Sequence, residues 1–311
     1  IDTDMGADDL FAIEMVRRSR AVAGLSLTFG CATLDQVARN AAGAAVAFGW
    51  SMPLHTGAER SMIGACETAA RILGPTGMLT RGGGLPEGGP VRGGAVTALA
   101  HWIESTERAE ILALGPLTNL ATLALVRPEL VPLIHRVVWM GGARGRGNHT
   151  EAAEFNAFAD PEALATLLSR GVELTVIDLA PCREVQIGEA DVAAVREGTS
   201  PRAELLADLL GGYLDIGLSR GRAGMALYDP VAAAALIAPD LFDFEETQLR
   251  VVLEQGAARG RTAMGPDAPE GSRVRRVRAV DAEGVRRLLA QALEAHGANR
   301  MTEAPGHWDG M

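Results

Sequence analysis

The chain has 311 residues and a formal net charge of −10, from 39 acidic and 29 basic side chains. That balance argues against a phosphate-backbone partner, which needs clustered Lys and Arg, so no nucleic acid is expected and a neutral or cationic small ligand suits better. Three cysteines, Cys31, Cys66 and Cys182, are too few and too widely spaced for a disulfide framework or a paired-Cys zinc site, so a cytoplasmic setting is expected, and no apolar run approaches the roughly 20 residues that span a membrane.

In chain order, "IDTDMGADDL" reads as the end of a strand that starts upstream of Ile1, followed by a tight turn at Gly6 and a helix opened by Asp8 and Asp9. On such a strand Asp2 and Asp4 point to the same side. Apolar β-rich runs follow at 22–30, 109–115, 136–142, 172–180 and 248–254, and helical patterns at 34–48, 94–107, 117–126, 160–170 and 282–295. Thr118 opens the third of these helices, and Asp160 and Pro161 the fourth. This alternation predicts an α/β fold: a doubly wound, mostly parallel central sheet flanked by helices, in one domain over 1–311. Such sheets bind ligands at the carboxyl ends of their strands. The glycine-dense stretch 74–94 is either a flexible loop near the site or a mobile surface connection.

The opening carboxylates call for a compensating charge. A helix N-terminus favours acidic side chains, which accounts for Asp8 or Asp9 alone. Four acids around one turn at a strand end point to a hard, oxygen-seeking cation or a polyol. An EF-hand counted from Asp2 fails, because its glycine position is Ala7 and its bidentate Glu position is Ile13. A phosphoryl-transfer enzyme with a nucleophilic Asp and Mg²⁺ leaves Asp8 and Asp9 without a role.

"DTDMGADD" resembles the signature of the inosine–uridine-preferring nucleoside hydrolases, in which Pro usually stands at the position of Met5. Further similar segments follow in order: "ATLDQVARNA" (32–41), "LGPLTNLA" (114–121), "WMGGARGRGNHTEAAEFNAFADPEA" (139–163) and "YDPVAAA" (228–234). The resemblance covers the chain from its first residues to beyond 230. It implies an enzyme, an N-ribohydrolase that cleaves the bond between ribose and a purine or pyrimidine base with water. It further implies Ca²⁺ held by Asp4, Asp9, the backbone carbonyl of Thr118 and Asp229, with Asp4 as general base. Asp8, Met140, Asn148, Glu154, Asn156 and Asp229 are the implied substrate-binding residues, Asn148 and Glu154 at the 5′-hydroxyl. The glycosidic transition state resembles an oxocarbenium ion, which carboxylates and oriented amides stabilise. A nucleoside partner and a homo-oligomer, dimer or tetramer, are expected.

Two positions depart from the family pattern. Gly30-Cys31 stands where many members have Gly-Asn; Cys31 is read as a packing residue before a nucleophile. Tyr228 stands where many members carry His before the C-terminal metal Asp, and as a candidate leaving-group residue it is a weaker acid. A non-catalytic nucleoside-binding protein of the same fold is therefore the alternative. His149 reads as a loop histidine, and Arg144, Arg146 and the 271–280 segment as structural or oligomer-contact residues.

Overall fold

A computed structural model describes residues 1–294; position 295 of the last predicted helix and the rest of the expected 1–311 domain lie outside the described residues. The strands run β1 (Asp2–Thr3), β2 (Leu25–Leu27), β3 (Leu54–Thr56), β4 (Arg92–Gly93), β5 (Ala109–Ala113) and β6 (Ile134–Met140). They continue with β7 (Leu174–Ile177), β8 (Gln186–Ile187), β9 (Met225–Ala226), β10 (Phe242–Val251), β11 (Thr262–Met264) and β12 (Ser272–Val280). Ten of them form one sheet in the order β11-β10-β12-β7-β6-β5-β1-β2-β3-β4, and β8 and β9 pair separately. From β4 to β12 every pairing is parallel; β10 and β11 extend the sheet through antiparallel ladders.

Alternation along the central strands explains why helices cover both faces. Leu112, Val138, Met140 and Ile177 enter one apolar cluster with Leu10, Phe11 and Ile13, whereas Ile111, Val137, Trp139 and Val176 enter another with Leu120, Leu164 and Leu167. A strand buried on both sides has no polar face, so it reads as a continuous apolar run.

The predicted helices are present at Leu34–Phe48, Ala95–Ser105, Thr118–Val126, Pro161–Ser169 and Ala282–Glu294. Asp160 caps the fourth, accepting from the Ala163 N–H at 3.1 Å. Three strands are shorter than their apolar runs, at 22–30, 109–115 and 172–180, whereas β6 is shifted two residues earlier than the 136–142 run and β10 begins at Phe242, six residues before the 248–254 run. Only Leu25–Leu27 of the 22–30 run enters the ladder, and Thr28, Phe29 and Gly30 continue as buried loop. The arginines of β12 are tied to β10 by Arg273–Glu246, Arg276–Glu245 and Arg278–Asp243 pairs, while Arg275 stacks 4.0 Å from the Phe244 ring centroid.

The chain leaves β1 for β2, β3 and β4 on one side, then returns to lay β5 on the other. The carboxyl ends of β1 and β5 therefore flank a topological switch point, where the loops diverge and leave a crevice.

Candidate active site

At this switch point the chain turns after Thr3, and the turn differs from the expected one. The left-handed residue is Met5 (φ 49°), not Gly6, which has φ −81°. The Met5 N–H donates to Thr3 Oγ1 at 3.1 Å, and its carbonyl accepts from Asn40 Nδ2 at 3.0 Å. Gly6 is required for space: a Cβ there would lie 2.7 Å from Cys31 Sγ. The helix Ala7–Ser19 then starts, and Asp9 reaches back to the Gly6 N–H at 2.8 Å.

Asp2 does not share a face with Asp4. β1 ends at Thr3, so Asp4 belongs to the turn, while Asp2 stays under the sheet and accepts from Ser26 Oγ (2.5 Å) and Asn119 Nδ2 (2.8 Å). The acidic cluster is completed instead by Asp229, which opens the helix Asp229–Ile237. Ligand atoms of Asp8, Asp9 and Asp229 lie within 4.8 Å of one another, as do those of Asp4, Asp9 and Cys31. All four aspartates are buried, and among the described residues none has an ion-pair partner. Asp4 is fastened by the Cys31 N–H at 2.7 Å, and Asp9 by the Thr3 hydroxyl. Gly30 and Gly115 give Asp4 room; a Cβ on Gly30 would lie 1.9 Å from its Oδ2.

Burial pushes these carboxyls upward, with repulsion among the acids adding to it at Asp4, Asp8 and Asp229: Asp4 and Asp229 rise well above the usual carboxylate range, Asp9 rises, and Asp8 reaches about 7. A divalent cation reverses that push, and a set of hard oxygen donors without basic neighbours fits one. Cys31 is a poor nucleophile here, because burial and the surrounding aspartates drive its thiol pKa well above the ordinary value.

Thr118 is buried at the start of its helix, but both its oxygens are engaged away from the cluster. Its hydroxyl donates to Asp160 (2.6 Å) and its carbonyl accepts from the Thr122 hydroxyl (2.8 Å). The backbone oxygen at the strand end is that of Leu114. The Leu114 N–H bonds to the Asp2 carbonyl at 2.8 Å, and its own carbonyl accepts from Asn156 Nδ2 at 2.7 Å.

The remaining predicted residues gather beside this floor. Asn156 also donates to the Met140 carbonyl at 3.0 Å, which brings the end of β6 against it. Glu154 is buried, accepts from the N–H groups of Gly142, Asn156 and Ala157 at 2.9, 2.8 and 3.0 Å, and is nevertheless pushed to about 7 by desolvation. Asn148 accepts from the Phe155 N–H at 2.9 Å through its Oδ1 and lines a cavity together with Tyr228. Burial, the largest cause, raises the Tyr228 pKa, and its hydroxyl has no hydrogen-bond partner among the described residues. His149 packs at 4.5 Å from Phe158 and 5.4 Å from Phe155, ring to ring.

Tyr213 escaped the sequence reading. Its hydroxyl lies 2.8 Å from the Ala226 carbonyl and 3.1 Å from Asp8 Oδ2. Within an Ala- and Leu-rich helix only the rarity of tyrosine, two in the chain, marked it.

This arrangement can hold a cation beside a polyhydroxylated ring. The family profile described as inosine-uridine preferring nucleoside hydrolase matches residues 1–287. The chain belongs to this family. It is 32% identical over 306 residues to the pyrimidine-specific ribonucleoside hydrolase RihA of Shewanella woodyi, covering 95% of this chain and 97% of that one. It is 30% identical over 275 residues to the pyrimidine-specific ribonucleoside hydrolase RihB of Escherichia coli, covering 84% and 85% of the two chains. Among solved structures, the fold is similar to that of a purine-preferring ribonucleoside hydrolase from Gardnerella vaginalis (TM-score 0.87, 23% identity, 95% and 97% covered). A plant nucleoside hydrolase gives a TM-score of 0.85 at 24% identity, with 94% and 98% covered. This nucleoside hydrolase family member thus has the predicted mostly parallel sheet flanked by helices.

Proposed function

We propose that the chain hydrolyses the N-glycosidic bond of ribonucleosides to ribose and free base, with Ca²⁺ as cofactor. The carrying observation is the convergence of four buried, unpaired carboxylates at the switch point of the sheet. Asp4, Asp9 and Asp229 would hold the cation. We assign the backbone oxygen to Leu114 in place of Thr118, since Leu114 lies at the strand end beside β1 and the next residue, Gly115, packs against Asp4, where a Cβ would lie 3.1 Å from the Asp4 Cβ. When bound, such a cation acidifies and positions a water.

Asp4 then takes the proton as attack proceeds; its N–H contact from Cys31 keeps one oxygen fixed while the other faces the cluster. Asp8 and Asn156 bind ring hydroxyls, and Asn148 and Glu154 the 5′-hydroxyl, with Met140 lining the sugar. Their negative charge and oriented amides match an oxocarbenium-like transition state better than a neutral ground state. Tyr228 stacks on the base or donates a hydrogen bond to it.

The test is release of reducing sugar from a panel of purine and pyrimidine nucleosides, with and without a chelator. Base preference belongs to the experiment, because relatives of both kinds share the fold. The upward push on the Tyr228 hydroxyl favours one rival, a nucleoside-binding protein without turnover, for which the panel would show binding and no ribose. Among the described residues no helix is long and apolar enough to cross a membrane. A cytoplasmic setting and a homo-oligomer complete the proposal, the latter checked by light scattering.

A further inference from the structure

The cavity outside Tyr228 has a volume of about 690 Å³, and its wall carries Arg146, Arg183, Arg220 and Arg222. Three separate segments supply these side chains: the loop after β6, the helix Leu179–Glu184, and the turn after the helix Ala203–Leu218. Local charge does not cancel. Arg146 faces Glu151 at 3.0 Å, and Arg183 spends one amino group on the carbonyls of Arg146 and Gly147, at 2.8 and 3.2 Å. Among the described residues, no carboxylate forms an ion pair with Arg183, Arg220 or Arg222, in a chain where acids outnumber bases by ten. By contrast, Arg81 is matched by Glu189 and Asp215, and Arg259 by Glu162.

Guanidinium is a planar fork that fits carboxylate or phosphate through paired N–H groups, and a concave wall holds several such forks at once. Bulk charge led to the expectation of a neutral or cationic ligand; this cavity has the opposite character. Tyr228, followed in the chain by Asp229, lines this cavity together with Asn148, the residue proposed at the 5′-hydroxyl, so a group seated among the arginines would be attached to a nucleoside lying over the aspartates.

We propose that the preferred substrate is a nucleoside carrying an anionic group, phosphate or carboxylate, received by Arg183, Arg220 and Arg222. This rests on the nucleoside-hydrolase reading and narrows its substrate class. Matched substrates separate the two sources of charge: uridine 5′-monophosphate places a phosphate on the sugar, and orotidine a carboxylate on the base, with uridine as the neutral reference. One of the anionic compounds should exceed uridine in kcat/KM by about tenfold, as expected for a charge-assisted contact. Added salt should shrink that ratio. Arg220→Ala and Arg222→Ala should each lower the anionic-to-neutral ratio several-fold.

Uridine turned over as well as both anions, or ratios untouched by either substitution, would overturn the inference. If no nucleoside releases ribose, the hydrolase reading fails, and thermal shift still decides the anion site. Ribose 5-phosphate or orotate should raise Tm more than ribose or uracil, and Arg222→Ala should erase the difference. Equal shifts for charged and neutral probes would remove the anion site as well.

Discussion

Asp4 is fixed by the Cys31 backbone N–H, and Asp9 by the Gly6 N–H and the Thr3 hydroxyl, instead of by cations, so their charge is left for a ligand to meet. Asp4→Asn keeps the shape and the Cys31 contact but cannot accept a proton. Turnover should fall by about 10²–10⁴, with substrate affinity little changed, measured as a kcat against KM split. At Tyr228, replacement by Phe keeps the ring and removes the hydroxyl. Turnover of nucleosides whose base must be protonated should drop, while an activated nitrophenyl riboside should be spared; equal losses on both substrates would assign Tyr228 to packing. Asp2 gives a stability prediction. Desolvation raises its pKa from 3.8 to about 6, so the neutral form is favoured in the fold. Its stabilising contribution is full below pH 3.8 and is lost as pH rises through about 6. Asp2→Asn should flatten that part of the Tm profile between these pH values, and an unchanged slope would show that Asp2 does not titrate there.

Elements that carry no chemistry still place the site. Asp160 caps its own helix, accepts the Met62 N–H at 2.9 Å and receives the Thr118 hydroxyl, joining two helices and a loop. Asp160→Ala leaves those donors unmatched and should cost about 2–4 kcal/mol in a urea melt, from one lost cap and two orphaned partners. The 74–94 segment borders the turn: the Thr76 carbonyl accepts from Asn40, and a Cβ on Gly77 would meet the Cys31 backbone at 3.0 Å. Arg81 clamps its middle to Glu189 and Asp215 with four contacts of 2.6–3.0 Å. Arg81 is partly exposed, so Arg81→Ala should change global stability little yet speed proteolysis within 74–94.

For the molecule as a whole, the acidic cluster joins distant parts of the chain: the turn after β1 and the helix Ala7–Ser19 give Asp4, Asp8 and Asp9, and the helix Asp229–Ile237 gives Asp229. A cation there would couple these elements. Chelation should therefore lower both ribohydrolase activity and Tm, and Ca²⁺ at about 100 times its Kd should restore roughly 2.7 kcal/mol. A chelated protein with undiminished activity and Tm would exclude a resident cation.

Much of this was legible before folding, and for identifiable reasons. Helices 34–48 and 282–294 announce themselves because side-chain periodicity is a local property, and Asp160-Pro161 because capping chemistry is local too. The order of strand-end motifs likewise pointed to the sheet and to Asp4, Asp8, Asp9 and Asp229. Strand limits were not legible, since residues such as Thr28 and Phe29 are buried by the loops above them and an apolar run records burial, not pairing. Nor was the departure of Asp2 from the cluster, which depends on a strand ending at Thr3 and on Asn119 arriving from 117 positions away. Thr118 and Leu114 are four residues apart in one motif, but only the helix direction sends the Thr118 carbonyl to Thr122 and leaves Leu114 at the strand end. The sequence by itself determined the α/β class and the opening cluster of aspartates, because these rest on short-range pattern, while Asp229 was named by the resemblance of its motif to the family. Tertiary structure alone decided which oxygens converge and that an acidic chain turns arginines toward its cavity, because charge acts through distance in space and not through position in the chain.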